Sequence, residues 1–376
     1  MTDEIFDDLK GIEGPRNVQI RNPALIERLV DTGDKIVDKH SKEMPDPDVL
    51  DELERMDGFY SKVYNEVMLA ASNINFDEQD IATFVRAKAS HDLVGKQAKV
   101  LGIYSGCLAQ LLTERNALQG KRTTIHLDGE GYAFDYLFYF ARVLDTVILE
   151  NFKGDEILAH VGNFGGRADT LVCNGIKGDS CLLSVGSYNG RVNKAIAIDV
   201  EGSATLMSSG SDRGYVSQVF GISLKGDASL SSCATTYGFV EQVIGVGVTD
   251  GSDNLSAICT LDDAAGAVNQ ILAVDINGSG TLNNTGNKKS RINEVIYDGI
   301  VGSDIMNLNL MDSGICREVI DREQVRATHS PFQAERIETT IALVRSLKDK
   351  PYQEVIKIAD QIYALRPVFS WGYSRS

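Results

Sequence analysis

Short runs of alternating apolar and polar residues fill the middle of the chain, and they return at a fixed interval. An apolar side chain stands two residues before a glycine at Leu127, Phe152, Ile176, Val200, Leu224, Ile276 and Ile300. Four residues after the glycine stand Leu158, Leu182, Leu206, Leu230, Leu255, Leu282 and Met306. Seven before it stand Val147, Leu171, Ala195, Val219, Ile271 and Val295, and Val243 joins if its turn holds one inserted residue. The glycines themselves are Gly129, Gly154, Gly178, Gly202, Gly226, Gly251, Gly278 and Gly302, mostly 24 or 25 residues apart. A period of this size is the mark of a stacked solenoid, in which one coil cannot bury its apolar face but a stack can.

Period-two alternation such as Ile198, Val200 and then Ala204, Leu206 predicts strands on both sides of the glycine, each with one face inward. The glycine then occupies a turn that needs positive φ or close backbone approach. The fold expected is mainly β: a right-handed parallel β-helix of about eight 24-residue coils over residues 121–312, the hand being the usual one for β crossovers. An antiparallel sandwich is the alternative, but it gives no reason for one glycine register to persist. Longer steps of 25 and 27 residues end at Gly251 and Gly278. They mark insertions, and the segment with Cys259, Asp262 and Asp263 between them is a candidate binding surface.

The flanks carry helical spacing instead. In residues 1–120, one helix is expected around Ala24–Val30, one capped by Asp46 ahead of Pro47, one over Asp77–Ala89 and one over Asp92–Ala117. Gly102 and Gly106 argue against continuity in the last. In residues 313–376, Pro331 opens a helix with Ile337, Ile341, Val344 and Leu347 on one face, and Pro351 opens another. Such helices are expected to cover the open ends of the stack.

Composition narrows the chemistry. With 37 Lys and Arg against 53 Asp and Glu, the net charge is −16, which disfavours nonspecific nucleic-acid binding. The acidic start shows no signal peptide and no apolar stretch reaches membrane-spanning length, so a cytoplasmic protein with no membrane span is expected. Six scattered cysteines without a CxxC pair are then read as reduced thiols. No P-loop, GxSxG or HExxH motif occurs. The glycine-rich stretches Gly162–Arg167, Gly186–Arg191 and Gly210–Tyr215 read as repeat elements of coil turns. Outward positions are expected for His126, and a turn position for His160.

Cys173 and Cys181 flank the turn at Gly178, and both are read as facing outward on adjacent strands. An exposed thiol pair there is a candidate soft-metal site; small cysteines packed as weak hydrophobes are the other reading. Acidic turn residues Asp155, Asp179, Asp227, Asp250 and Asp253 suit calcium, but Lys153, Lys177 and Lys225 interleave with them and suit a salt-bridged edge better.

The order of helical region, β-helix and short helical C-terminal segment, the coil phrase Ile196-Ala-Ile-Asp-Val-Glu-Gly-Ser-Ala204, the stretch Arg291–Asp304 and the run Glu323–His329 ahead of a helix pair together resemble the SufB/SufD family of iron–sulfur cluster assembly scaffolds. The resemblance implies a non-enzymatic scaffold that pairs through its β-helix end, binds an ABC-type ATPase subunit through its C-terminal helices and helps hold a nascent iron–sulfur cluster. His329 is the position it carries over, and Cys316 lies near the last coil. Ser330 and Pro331 follow His329 where the family has Glu-Ala or Gly-Ala, and the family's last-coil cysteine has no counterpart in Asn293–Tyr297. Two other readings stay open. One is a β-helix enzyme acting on an extended carbohydrate along Arg167, Arg191 and Arg213, with Asp169 and Asp212 nearby. The other is a self-assembling structural solenoid without a cluster.

Overall fold

The computed structural model describes residues 23–45, 52–91, 93–261, 264–286, 289–303 and 316–368. Four helices come first: α1 (Pro23–His40), α2 (Glu52–Ala70), α3 (Glu78–Lys88) and α4 (Lys96–Leu118). The solenoid follows. Its long strands are β1 (Thr124–Asp128), β2 (Val143–Glu150), β3 (Arg167–Asn174), β4 (Arg191–Ile198), β5 (Tyr215–Ile222) and β6 (Phe239–Val246). After the two-residue pieces β7 (Gly251–Ser252), β8 (Thr260–Leu261) and β9 (Ala264–Ala265) come β10 (Ala267–Val274), the short β11 (Gly278–Ser279), β12 (Arg291–Asp298) and β13 (Cys316–Asp321). The chain closes with α5 (Val325–Thr328), α6 (Pro331–Arg345) and α7 (Tyr352–Ala364). Asp46 and Met306 lie outside the described residues, so the cap and the last leucine-column position expected there are not addressed.

The nine long strands form one sheet in the order β1-β2-β3-β4-β5-β6-β10-β12-β13, every pair parallel. Leu171 pairs with Ala195, Ala195 with Val219 and Val219 with Val243, one 24-residue coil at a time. The insertion falls next, where Val243 pairs with Ile271. A sandwich is thereby excluded, and Val243 belongs to the inward column as its shifted register implied.

The second half of each coil departs from expectation. Apart from the two-residue β7 and β11, the segments after the repeat glycine are not strands. Alternate residues take left-handed backbone angles there, as in Ala204, Leu206 and Ser208 at φ of 57°, 60° and 58°. Their amides still bond between coils: Leu206 N–H donates back to Cys181 O and Ser208 N–H donates forward to Ser231 O, both at 2.9 Å. Neighbouring residues can then both face the core, and Ile157 and Leu158 are both fully buried.

Packing couples the two halves. The inward column Leu149, Cys173, Ala197, Gly221, Gly245, Ala273 shrinks where it meets the leucine column. A Cβ on Gly221 would sit 2.7 Å from Leu230 Cδ1, and one on Gly245 would sit 2.6 Å from Leu255 Cδ1. Small residues on one wall admit large ones from the other, which is how a narrow core reaches native density.

Helix α4 closes the first coil. Gly102 and Gly106 do not break it; they let it lie directly on the backbone of Tyr136 and Tyr139. Ser105 Oγ accepts the N–H of Phe138 at 3.0 Å and Gln110 Oε1 accepts that of Arg142 at 2.9 Å. The C-terminal helices act differently from expectation. They cover not the end of the stack but its long side. Ile196, Phe220, Ile244, Leu272 and Ile296 on the outer sheet face pack with Ile337, Ile341, Val344, Val355 and Ile362. The sheet is therefore apolar on both faces, as parallel sheets require.

Beneath these helices runs a polar row. Gln218 Nε2 donates to Gln242 Oε1 at 2.8 Å, Gln242 Nε2 to Gln270 Oε1 at 2.6 Å and Gln270 Nε2 to Glu294 Oε2 at 2.5 Å. Gln218 also donates to Ala359 O on α7, and Arg336 of α6 caps the row on Glu294. Each buried amide donates to the side chain in the same register one coil on, an amide for Gln218 and Gln242 and a carboxylate for Gln270, so the row buries polar atoms without orphaning them.

Candidate functional site

The sequence-derived candidates are dispersed. Cys173 and Cys181 are both fully buried in the solenoid core, not outward. Cys173 shares the parity of Leu171, so it points in. Cys181 lies in the left-handed half, where alternation no longer assigns faces. Burial, with Cys181 alongside, holds the Cys173 thiol neutral well above its usual range, which opposes soft-metal ligation. His160 occupies a turn, as expected, and is buried there against Tyr139 and Phe140. His126 is exposed as expected and pairs with Glu150 at 2.6 Å.

Cys316 and His329 both sit at the last described coil but on opposite faces of β13. Cys316 ends the inward column through Val240, Val268 and Ile292, and burial pushes its thiol up to about 11. His329, at the junction with α6, reaches the outer face, where Nε2 lies 2.9 Å from Glu318 Oε1. Among the described residues, no three His, Cys, Asp or Glu side chains converge to hold a metal ion. Buried, neutral thiols are poor metal ligands, since the thiolate is the ligating form.

The acidic turn residues have structural work. Asp155 Oδ1 accepts the N–H of Asp179 at 2.8 Å, Asp179 Oδ1 that of Ser203 at 2.7 Å and Asp227 Oδ1 that of Ser252 at 2.6 Å. Glu201 bridges Lys177 and Lys225. This edge is a capped, salt-bridged seam, as the interleaved lysines indicated.

The opposite edge differs. There the glycine-rich stretches form four stacked tight turns. Gly166 N–H donates to Asn163 O, Gly190 to Ser187 O, Gly214 to Ser211 O and Gly238 to Thr235 O, each at 2.9 Å. Both central residues have positive φ: Phe164-Gly165, Tyr188-Asn189, Asp212-Arg213 and Thr236-Tyr237. That pattern defines the type I′ turn. Tyr, Arg and Thr in left-handed pairs are costly unless the surroundings enforce them. Two features do. A Cβ on Gly190 would lie 1.9 Å from Gly162 O, so only glycine lets the turns stack. Buried first residues are also linked: Ser187 N–H donates to Asn163 Oδ1 at 2.7 Å, Ser211 N–H to Ser187 Oγ at 3.1 Å and Thr235 N–H to Ser211 Oγ at 3.2 Å.

The second turn residues make a ladder of rings. Tyr60 of α2 meets Phe140 at 5.7 Å, Phe140 stacks on Phe164 at 5.7 Å, and Phe164 stacks on Tyr188 at 4.8 Å with planes 8° apart. The ring positions stop there, because the next two coils carry Asp212 and Thr236. At that point the ridge opens into a groove of about 300 Å³, lined by Phe164, Tyr188, Asn189, Asp212, Arg213 and Thr236. Burial raises the Asp212 carboxyl above its ordinary value, partly offset by hydrogen bonds donated by the Thr236 and Tyr188 side chains. Among the described residues lining the groove, Asp212 is the one that carries a carboxyl. Glycoside hydrolysis uses two carboxyl groups across the scissile bond, and the described lining supplies one.

Of the enzyme-reading residues, Asp212 and Arg213 reach this groove. Arg167 and Arg191 are exposed partners in adjacent strands beside it, and Asp169 is engaged by Arg122 at 2.7 Å. The ring ladder went unread in the sequence because Phe164 and Tyr188 sit inside stretches that look like repeat filler. Their 24-residue spacing was the available signal. No family model, curated protein or solved structure matches the chain. Among the described residues, no helix is long and apolar enough to cross a membrane.

Proposed function

We propose that this protein is a non-catalytic interaction scaffold, with a form like that of the SufB/SufD components, whose docking end is the last coil with its attached helix pair. The observation that supports it is the Glu318–His329 contact. It ties the last described strand to the start of α6, and the histidine involved is the one the resemblance carries over. An ABC-type ATPase subunit is the partner implied for the helix pair. An iron–sulfur cluster, if carried, draws ligands from a second chain meeting this end, since Cys316 and His329 lie on opposite faces of β13.

Anaerobic reconstitution of the full chain with iron and sulfide, followed by visible absorbance, tests the cluster. Absorbance lost in His329→Ala and Cys316→Ala supports the Suf-like form. A colourless protein alone and with an added ATPase partner removes it and leaves a cluster-free scaffold. Absence of any complex with that ATPase in size-exclusion chromatography sinks the docking assignment.

A further inference from the structure

We propose that the groove at the end of the ring ladder docks an extended acidic peptide segment, carrying an aromatic side chain, from a partner protein. This assigns a second binding surface, independent of the terminal coil.

Charge is the first argument. The chain is strongly acidic, and Arg122, Arg142, Arg336, Arg345 and Arg366 each contact a carboxylate. Arg167, Arg191 and Arg213 are exposed, and among the described residues none of the three guanidinium groups makes an ion pair or hydrogen bond, although the charge of Arg213 is felt by the neighbouring Asp212. They fall on three successive coils beside one groove. Arg167 and Arg191 are in register, and Arg213 stands two residues before Tyr215, the register partner of Arg191. Coils are spaced at roughly 4.8 Å, so Arg167 and Arg191 start adjacent strands one coil apart, just after the turns that form the groove, while Arg213 lines the groove itself. Arginine clusters of this kind recognise acidic motifs, since each fork can take a carboxylate through two hydrogen bonds.

The second argument is shape. Rings occupy the ladder from Tyr60 to Tyr188 and are replaced by shorter side chains at Asp212 and Thr236. An aromatic side chain from outside can extend the ladder where its own residues stop, and such anchors dominate interface energetics.

Asp212 and Asn189 decide among polyanions. A carboxylate inside the groove accepts hydrogen bonds, and a primary amide both donates and accepts. A peptide backbone supplies complementary N–H and C=O groups. A phosphodiester backbone supplies no donor. An oligosaccharide needs several broad ring faces, whereas Phe164 and Tyr188 cover each other.

Fluorescence anisotropy of the full chain with a labelled synthetic peptide of Asp and Glu around one Phe tests this. Saturable binding is expected, weakened about tenfold by Arg213→Asn or Arg191→Gln and weakened by salt. Asn tolerates the left-handed angle at position 213, and unchanged thermal melting confirms that the variants fold. Replacing the peptide's Phe by Ala should also weaken binding, while His329→Ala should leave it intact, separating this groove from the terminal coil. No saturable binding, binding indifferent to both arginine variants, or tighter binding of polyuridine or an oligouronate than of the peptide overturns the proposal.

Discussion

A Cβ on Gly202 would lie 1.9 Å from the carbonyl oxygen of Gly178, one coil below. Gly202 needs no left-handed angle, so the constraint is space alone. Gly202→Ala is expected to force the coils apart and cost about 2–3 kcal/mol, the scale of overpacking in a tight interior. Gly165 is the opposite case, left-handed at φ of 74° with open space where a Cβ would stand. Gly165→Asn should change stability by less than about 1 kcal/mol, because Asn tolerates that angle. Denaturant unfolding of the two variants distinguishes them; equal losses would show that the glycine column is not sterically fixed.

Arg336 reaches from α6 to Glu294, whose side chain is 2% exposed at the end of the glutamine row. Removing the guanidinium leaves a carboxylate buried without its counter-charge, and Arg336→Ala should cost about 3 kcal/mol. Arg326 also pairs with a glutamate, Glu338, but at an exposed site. Arg326→Ala should leave the melting temperature essentially unchanged, since exposed pairs are solvent-screened. If the two substitutions behave alike, the row is not a stabilising junction between sheet and helices.

His160 sets a pH dependence. Burial, and secondarily the charge of Lys99, lowers its pKa to about 3 from the ordinary 6.5. Between those values the unfolded chain binds a proton that the folded one refuses. Stability from this group is therefore complete above about pH 6.5 and falls as pH drops, by up to about 1.4 kcal/mol per pH unit. His160→Phe should flatten the acid side of a melting-temperature profile between pH 7 and pH 5. A profile identical to the unmodified chain would show that His160 is not held neutral.

The thiols give a direct check of the core. Cys107, Cys173, Cys181, Cys233 and Cys259 are buried and Cys316 is partly exposed. Maleimide labelling at neutral pH should modify Cys316 first and slowly, and reach the others only on unfolding. Fast native labelling of Cys173 or Cys181 would contradict their inward placement.

The solenoid was legible because its inward columns, from Val147 to Val295 and from Leu158 to Leu282, repeat without needing long-range knowledge. What escaped was local conformation. Ala204 and Leu206 alternate in hydrophobicity like a strand, yet inter-coil bonding holds them in the left-handed region, and hydropathy does not encode φ. The same switch misled the assignment of Cys181. Helices α6 and α7 were visible in their spacing, but nothing local said that Ile196 and Phe220 wait for them on the long face. The binding ridge was hidden for a related reason: Phe164, Tyr188 and Arg213 matter through vertical neighbours 24 residues away.

Each coil of this stack takes its alignment from the one before, and that raises the question of where alignment begins. Ser105 and Gln110 supply acceptors to Phe138 and Arg142 at the positions where later coils bond to their predecessors. Helix α4 thus serves as a coil of zero order, a template written in side chains instead of backbone. An error in seating α4 by one residue would be copied upward through every column, moving the arginines of the ridge as surely as the leucines of the core.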